Sequence, residues 1–162
     1  MRAAPTQLQW AFILAAETGQ RQGDLLMLPW SAYDGQWTSL TQSKSGRKVR
    51  VPATARLRSM LASVPRVGPV ILTNAHKRPW TSNGFRDAWR KSSRKAGITD
   101  LHFHDLRGTA VTRLSEAGCT PQEIARFTGH ALRDVAAILD RYLARTDTLA
   151  LTALAKLERA RR

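Results

Sequence analysis

Cysteine and long apolar segments are nearly absent from this chain of 162 residues, and each absence excludes a class of protein. The single cysteine, Cys119, rules out an internal disulfide, and the N-terminus carries no signal-peptide pattern. No apolar run reaches the roughly 18 residues that a membrane-spanning helix requires. A cytoplasmic setting without a membrane partner is therefore predicted.

Acidic residues are also few, and this shortage gives the chain a strong positive charge. Lysine and arginine number 26 against 12 aspartates and glutamates, so the net charge is +14 and the isoelectric point is about 11.4. Solubility does not require so large an imbalance, which predicts a polyanionic partner, with nucleic acid the first candidate. An anionic membrane surface is the weaker candidate, because no lone basic amphipathic helix is found.

The apolar content of 43% predicts one compact domain, and the apolar spacing predicts a mostly helical α+β fold. A small three-stranded antiparallel sheet is expected from Leu28 to Tyr33, Gln36 to Thr41 and Lys48 to Val51, with a hairpin at Asp34-Gly35 and a further short buried strand at 70–72. Helices are expected from Leu8 to Gly19, from Arg21 to Met27, over 54–63, after a cap at Thr81 or Ser82, and over His104–Ala117, Pro121–Phe127, Leu132–Leu143 and Asp147–Ala160.

A basic segment follows the sheet. Seven basic residues and one acid, Asp87, lie between Lys77 and Lys95, and the candidates for DNA contact are Lys77, Arg78, Arg86, Arg90 and Arg94. Such a run is either a solvated helix face or a face that meets phosphates, and the lack of pairing acids favours phosphates. A helix-turn-helix around Gly118 is the minor alternative, with Gln122, Arg126 and Thr128 facing a groove.

Tyr142, one of only two tyrosines, follows an ordered set of imidazole and guanidinium groups that suggests chemistry on a phosphodiester. Without a metal, charge on the nonbridging oxygens must be neutralised by cationic donors, for which Arg21 and Arg107 are the candidates. His104 shares a helix face with Arg107, and His130 follows a glycine. Each residue alone has a plainer interpretation: a surface arginine, a packed histidine, or a core aromatic on the stripe of Val135, Ile138 and Leu139.

Five segments carry a family resemblance by their order in the chain. They are Thr18-Gly19-Gln20-Arg21, Gln42-Ser43-Lys44-Ser45-Gly46, His104-Asp105-Leu106-Arg107, Gly129-His130 and Asp140-Arg141-Tyr142. Together they resemble the catalytic domain of the tyrosine recombinases, the phage integrase family, over nearly the whole chain. The resemblance implies a catalytic set of Arg21, Lys44, His104, Arg107, His130 and Tyr142, with Lys44 as general acid and Asp24 as an orienting residue.

The reaction implied by the resemblance is cutting and rejoining of double-stranded DNA in a bacterial host, of the kind that integrates or excises a prophage. Tyr142 would form a 3′-phosphotyrosyl intermediate without ATP, metal or other cofactor. The chain would be a monomer in isolation and join a synaptic tetramer on DNA. The alternative interpretation of Lys44 is an ordinary exposed lysine of a hairpin. The alternative interpretation of Asp24 is a charge that interacts with the helix dipole or lies on the surface.

Two departures from the family accompany this resemblance. The interval from His130 to Tyr142 is about one helical turn longer than usual, which leaves the register of the nucleophile open. The family's separate N-terminal DNA-binding domain and part of the first helix are expected to be missing from residues 1–162, which we interpret as a single catalytic domain. The leucines 149, 151, 154 and 157 predict an apolar stripe on the last helix, which packs on its own domain or on a neighbouring protomer.

Two other functions fit the same residues. One is a non-catalytic DNA-binding module that keeps the fold and the charge but not turnover. The other is a type IB topoisomerase, which uses the same covalent strategy but relaxes supercoils as a monomer. The DNA target, and whether Tyr142 acts in its own protomer's site or in a neighbour's, are not encoded in any pattern of the sequence.

Overall fold

The computed structural model describes residues 4–143 and 147–160, which form eight α-helices and a two-stranded antiparallel sheet. The helices are α1 (Thr6–Thr18), α2 (Gln22–Leu26), α3 (Ala55–Ser63), α4 (Ser82–Lys95), α5 (Asp105–Glu116), α6 (Pro121–Thr128), α7 (Leu132–Leu143) and α8 (Thr148–Ala160). The strands are β1 (Trp37–Thr41) and β2 (Lys48–Pro52), in a register that pairs Leu40 with Val49. The mostly helical α+β prediction is confirmed.

The helix ends follow from local chemistry. Gly19 ends α1 in the left-handed conformation at φ 64°, which glycine adopts without steric cost. The side chains of Thr54 and Thr81 accept backbone hydrogen bonds at the starts of α3 and α4. Thr120 and Glu123 form a reciprocal capping box at the start of α6. The stop at Gly19, the cap at Thr81 and the capping box were expected from the sequence, and for α3 the helix was expected without its cap.

Of the three predicted strands, the first, Leu28–Tyr33, is wrong. Pro29 has no N–H to donate to a ladder, and the chain turns through a short 3₁₀ helix, Trp30–Ala32. Of the pairing expected between this segment and β1, the structure has an isolated bridge between Tyr33 and Thr38. The turn itself forms as expected, because the Asp34 carboxylate accepts hydrogen bonds from the N–H groups of Gln36 and Trp37.

Residues 70–72 are buried as predicted but do not form a strand. Val70 makes an isolated bridge with Pro29, and the N–H of Ile71 donates to the carbonyl of Leu28 at 2.9 Å. The segment therefore anchors the irregular stretch before the sheet. None of the described helices is long and apolar enough to cross a membrane.

Two apolar clusters hold the helices together. The larger joins α1, α2, α3 and α4 and contains an aromatic group in which Phe103 contacts Phe85 and Trp89 edge to face, at centroid distances of 4.8 and 4.9 Å. The smaller joins α5, α6 and α7 through Val111, Ile124, Val135 and Leu139. Between these clusters, α6 packs on β2 at Gly129.

Gly129 allows a close approach that no other residue would permit. It ends α6 at φ 69°, and a Cβ atom at this position would lie 2.4 Å from Nε2 of Gln42 and 2.5 Å from a methyl of Val49. Both atoms belong to buried side chains of the sheet region, so neither can move aside easily. The contact fixes residue 130 against the turn between β1 and β2.

We expect Gly129→Ala to lower the free energy of unfolding by about 1–3 kcal/mol more than Gly46→Ala does. Both glycines have positive φ, so both variants carry the backbone strain, but nothing lies within 4 Å of a Cβ at Gly46. Urea denaturation of both variants measures the difference. Equal losses of stability would show that α6 moves freely relative to the sheet.

Candidate active site

Arg107 lies buried on α5 where three distant segments meet. Its Nη1 atom donates to the carbonyl of Gly19, at the end of α1, and to the carbonyl of Thr128, at the end of α6, the latter at 2.8 Å. Its Nη2 atom is buried and has no hydrogen-bond partner among the described residues. Burial, and then the charge of Arg21, lower the pKa of Arg107 to about 10, while Asp24 and Asp134 oppose this shift. Arg107 therefore remains cationic at neutral pH.

Arg21 lies beside Arg107, at the start of α2. It is half-buried, and its Nη1 atom donates to Oε1 of Gln42 at 2.9 Å. Its charge lowers the pKa of both Arg107 and His130, which shows that the three groups share one electrostatic environment. The helix break at Gly19 positions Arg21, since the chain turns there from α1 into α2.

His130 completes this group and is neutral. Burial, and then the charges of Arg107 and Arg21, lower its pKa to about 4. Its Nδ1 atom lies 2.7 Å from Oγ1 of Thr128. The guanidinium of Arg47 donates to the backbone carbonyl of His130 and fixes the residue from the sheet side.

Two buried glutamines join the arginines to the sheet. Nε2 of Gln42 donates to Oε1 of Gln20 at 2.7 Å and to the carbonyl of Thr128 at 3.1 Å, and Oε1 of Gln42 also accepts from the hydroxyl of Ser45 at 3.0 Å. Gln20 donates to the same Thr128 carbonyl at 3.2 Å. The carbonyl of Thr128 thus accepts from Gln20, Gln42 and Arg107, so one backbone oxygen fixes three polar side chains.

Asp24 holds the turn that carries Lys44. Oδ1 of Asp24 accepts from the backbone N–H of Ser43 at 2.9 Å and from its hydroxyl at 2.7 Å. Asp24 is buried, so it is not the surface charge that one interpretation of the sequence allowed. Lys44 itself is exposed on the turn, beside a buried carboxylate that ties the turn to α2.

His104 is exposed at the N-cap of α5, one helical turn before Arg107. Its charge is the smallest of the causes that lower the pKa of His130, so it lies at the edge of the same group. The structure therefore brings together Arg21, Arg107 and His130, with His104 and the Lys44 turn beside them.

Tyr142 is placed elsewhere. Its hydroxyl, at the end of α7, donates to the carboxylate of Glu116, the last residue of α5. Arg107 and Glu116 are nine residues apart, which is about 13 Å along the helix axis. The residues before Tyr142 form the expected stripe, with Val135 and Leu139 buried. The phenol is thus at the opposite end of α5 from the two arginines.

The basic segment forms an exposed face. Arg86, Arg90 and Arg94 line a groove of about 690 Å³ that also includes His102 and His104. Arg90 is paired with Asp87 at 2.9 Å, so the run does have one paired charge, contrary to the expectation that no acid balances it. Lys77 and Arg78 are exposed on the turn before α4.

The helix-turn-helix interpretation placed three residues towards a DNA groove, and one of them cannot face it. Thr128 is fully buried, and both its hydroxyl and its carbonyl are used inside the protein. The second helix of that motif, α6, serves to place Gly129 and His130.

Sequence reasoning did not assign roles to Gln20, Gln42 or Arg47, and it gave Thr128 a role only in the helix-turn-helix alternative. The glutamines stand beside Arg21 and Lys44 in the segments that carry the resemblance, which was the available signal. Their partners lie 86 and 108 residues away in the chain, so no local pattern reveals the bonds.

A profile of the Phage integrase family matches residues 2–148, and these residues contain every part of the site just described. The chain belongs to the phage integrase family. The described fold and the order of the site residues agree with this membership.

Two similar proteins of known function are longer than this chain. It is 38% identical over 124 residues to the shufflon-specific DNA recombinase of Escherichia coli, an alignment that covers 74% of this chain and 30% of that protein. It is 25% identical over 141 residues to the integrase of Escherichia phage lambda, covering 79% of this chain and 39% of that protein. The chain therefore spans less than half the length of these relatives.

Solved integrase-family structures share the fold. The lambda integrase catalytic core aligns with a TM-score of 0.69 at 25% identity, covering 78% of this chain and 81% of that one. The XerA recombinase aligns with a TM-score of 0.75 over 95% of this chain and 58% of its own, at 19% identity, which shows the fold alone.

We expect Gln42→Met to lower the free energy of unfolding by at least about 2 kcal/mol, because it removes partners from Arg21, Gln20, Ser45 and Thr128 in a buried setting. Gln36→Met, on the exposed hairpin, is the matched control and should change stability by less than about 0.5 kcal/mol. Urea denaturation measures both. A similar small effect for the two variants would mean that the amide network does not stabilise the site.

Proposed function

We propose that this chain is the catalytic domain of a site-specific recombinase that cleaves and rejoins double-stranded DNA through a 3′-phosphotyrosyl intermediate. Family membership and the 38% identity to a DNA recombinase support the class of reaction. The observation that carries the proposal is the cationic group of Arg21 and Arg107 beside a neutral His130, held at the junction of α1, α5 and α6.

This group has the chemistry of a phosphate site. The two guanidinium groups repel each other at close range. The buried Nη2 atom of Arg107 has no hydrogen-bond partner among the described residues, and an anionic oxygen would accept a hydrogen bond from it. A phosphodiester brings one negative charge and two nonbridging oxygens. Its charge would relieve the repulsion, and the arginines would stabilise the additional charge that develops as phosphorus becomes five-coordinate.

The proposed cleavage step forms one bond and breaks one bond. Oη of Tyr142 attacks phosphorus, its proton passes to a histidine of the site, and the bond from phosphorus to the 5′ oxygen breaks. Nζ of Lys44 gives the leaving 5′ oxygen its proton. The exposed turn on which Lys44 lies, tied to α2 through Ser43 and Asp24, keeps this acid near Arg21. Rejoining reverses each transfer.

Cleavage in this scheme requires Tyr142 to leave Glu116. The phenol lies at the far end of α5 from Arg107, so the end of α7 must move before the hydroxyl reaches a phosphate held by the arginines. After this movement Tyr142 would attack a phosphate either in the site of its own protomer or in that of a neighbouring protomer. Until it occurs, the protein holds DNA without cutting it.

We propose double-stranded DNA and further copies of the chain as the partners. Solved structures of lambda integrase are described as a dimer bound to a COC′ core site and a tetramer bound to a Holliday junction. In this chain Lys77, Arg78, Arg86, Arg90 and Arg94 would contact phosphates, since all five are exposed. Leu151, Leu154 and Leu157 are exposed on α8 and offer an apolar face for self-association on DNA, whereas the side chain of Leu149 lies outside the described residues.

A nicked suicide DNA substrate should trap a covalent adduct with the full-length protein, because the released fragment diffuses away and prevents rejoining. Tyr142→Phe should abolish the adduct. Tyr33→Phe is the matched control, since its hydroxyl donates only to the carbonyl of Gly35 on the hairpin, and it should give as much adduct as the wild type. Denaturing electrophoresis of labelled DNA measures the product.

Wild-type protein that binds its proper site and forms no adduct would identify the chain as a non-catalytic DNA-binding module. The Tyr142–Glu116 hydrogen bond is the feature that favours this second function. Relaxation of supercoiled DNA without paired sites would instead indicate a topoisomerase.

DNA binding by this chain alone should be weak and strongly dependent on salt. Each arginine that neutralises a phosphate contributes about 0.9 to the slope of log affinity against log salt, so Arg86→Ala and Arg94→Ala should each lower that slope by about 1. Arg86→Lys and Arg94→Lys keep the charge and should keep the slope. Fluorescence anisotropy at several salt concentrations measures it. Unchanged slopes in the alanine variants, or tight binding at high salt, would exclude this face as the phosphate contact.

A further inference from the structure

Two serines flank Lys44 on the turn between β1 and β2, and both of their hydroxyls are directed into the protein. Oγ of Ser43 donates to Oδ1 of Asp24 at 2.7 Å, and Oγ of Ser45 donates to Oε1 of Gln42 at 3.0 Å. Both serines are exposed, whereas Asp24 and Gln42 are buried. An exposed hydroxyl has water available as a partner, so these bonds indicate that the turn is anchored on each side of the lysine.

The two acceptors connect the turn to the arginines. Asp24 follows Arg21 by three residues in α2, and Gln42 accepts from Nη1 of Arg21 at 2.9 Å through the same Oε1 atom that binds Ser45. Burial and the charge of Arg21 lower the pKa of Arg107, and the charge of Asp24 opposes this shift. The carboxylate that anchors the turn therefore belongs to the electrostatic environment of both guanidinium groups.

The amide of Gln42 has only one orientation that satisfies its partners. Its Nε2 atom donates to Oε1 of Gln20 and to the carbonyl of Thr128, which uses both hydrogens. Its Oε1 atom accepts from Ser45 and from Arg21, which uses both lone pairs. Rotating the amide by half a turn would direct an N–H group at a guanidinium, which cannot accept. The acceptor of the Ser45 hydroxyl is therefore fixed.

Two backbone bonds set the shape of the turn around Lys44. The N–H groups of Ser45 and Gly46 donate to the carbonyl of Gln42 at 3.3 and 2.8 Å, and both bonds lie within the hairpin. They do not determine where the hairpin lies relative to Arg21. A lysine side chain is a flexible four-carbon stem, so the position of its backbone decides which atoms Nζ can reach. The serine side chains contribute that position.

We propose that Ser43 and Ser45 are positioning residues for Lys44, whose ammonium protonates the 5′ oxygen that leaves when the phosphodiester is cleaved. This rests on the proposed cleavage reaction and adds to it the contacts that hold the acid beside the arginines. The proton moves from Nζ to the 5′ oxygen as the bond from phosphorus to that oxygen breaks, and the lysine is left neutral. The serines act through the lysine alone.

The role of the serines predicts that they become dispensable when the leaving group needs no acid. Two nicked suicide DNA substrates for the full-length protein differ in one atom, which is oxygen or sulfur at the 5′ bridging position. A thiolate leaves without a proton, because thiols have a pKa of about 8.5 and alcohols are nearly as weakly acidic as water. Slow cleavage of the oxygen substrate with normal cleavage of the sulfur substrate is therefore the signature of a misplaced acid.

Ser45→Ala should slow adduct formation with the oxygen substrate by about fivefold, the factor that one net hydrogen bond contributes. Ser43→Ala keeps the N–H bond to Asp24 at 2.9 Å, so the double variant Ser43→Ala/Ser45→Ala should slow it by about tenfold. With the sulfur substrate both variants should stay within about twofold of the wild type. Ser45→Thr keeps a hydroxyl and should restore the wild-type rate.

Ser39→Ala is the matched control, because Ser39 is exposed on β1 and its hydroxyl has no hydrogen bond to the described residues. It should cleave both substrates at the wild-type rate, and Lys44→Ala should show the loss on oxygen alone more strongly than the serine variants. Normal cleavage of the sulfur substrate also shows that a variant is folded. Equal slowing of both substrates by the serine variants would overturn the proposal.

Backbone ¹⁵N relaxation of the chain without DNA tests the anchoring independently of cleavage. The amide of Lys44 should have an order parameter of about 0.85 in the wild type, and the double variant should lower it to about 0.6 or less. A value that the double variant leaves unchanged would contradict the proposal. Absence of adduct from the wild type on both substrates would instead count against the recombinase reaction, while the relaxation data still decide whether the serines hold the lysine.

Discussion

The donation from Arg107 to two backbone carbonyls is the interaction on which the rest of the site depends. One carbonyl closes α1 and the other closes α6, so a single guanidinium fixes the relative position of two helix ends and its own helix. Burying a cation is costly unless it is hydrogen-bonded, and helix C-termini offer carbonyls with partial negative charge. The chain thus places a positive charge inside the protein by directing two helix ends at it.

Electrostatics and hydrogen bonding have opposite effects in this region. Burial, and then the charge of Arg21, lower the pKa of Arg107, and burial, and then the charges of both arginines, lower the pKa of His130. The amide network of Gln20 and Gln42 holds Arg21 in place, and the carboxylate of Asp24 holds the neighbouring turn that carries Lys44. Such a site is held together by hydrogen bonds while its positive charges repel each other, and this combination favours the binding of an anion.

Local signals in the sequence were sufficient for the helices, whereas the candidate site residues were taken from the segments that carry the family resemblance. Gly19, Thr54, Thr81 and the Thr120–Glu123 box act within four residues, so helix boundaries can be predicted from neighbouring residues alone. The strand expected before Asp34 failed because Pro29 could not join a ladder, and the chain used the irregular pairing with Val70 instead. Propensity alone does not distinguish these outcomes.

The resting position of Tyr142 and the roles of Gln42 and Thr128 were not predictable for a different reason. Each depends on partners distant in the chain, and the bond from Tyr142 to Glu116 holds the phenol away from the position that the proposed reaction requires. A sequence pattern identifies which residues take part in a reaction but does not select among the positions they occupy before it. The longer interval between His130 and Tyr142 left this register open.

The spacing of the arginines on α4 has a consequence for the proposed DNA contact, because it sets the length of DNA that the row would cover. Arg86, Arg90 and Arg94 are four residues apart, so the row is about 12 Å long at 1.5 Å per residue. One strand of B-DNA places a phosphate about every 3.4 Å along its axis. The row is therefore as long as three to four nucleotides of one DNA strand. This length is about a third of a turn of B-DNA.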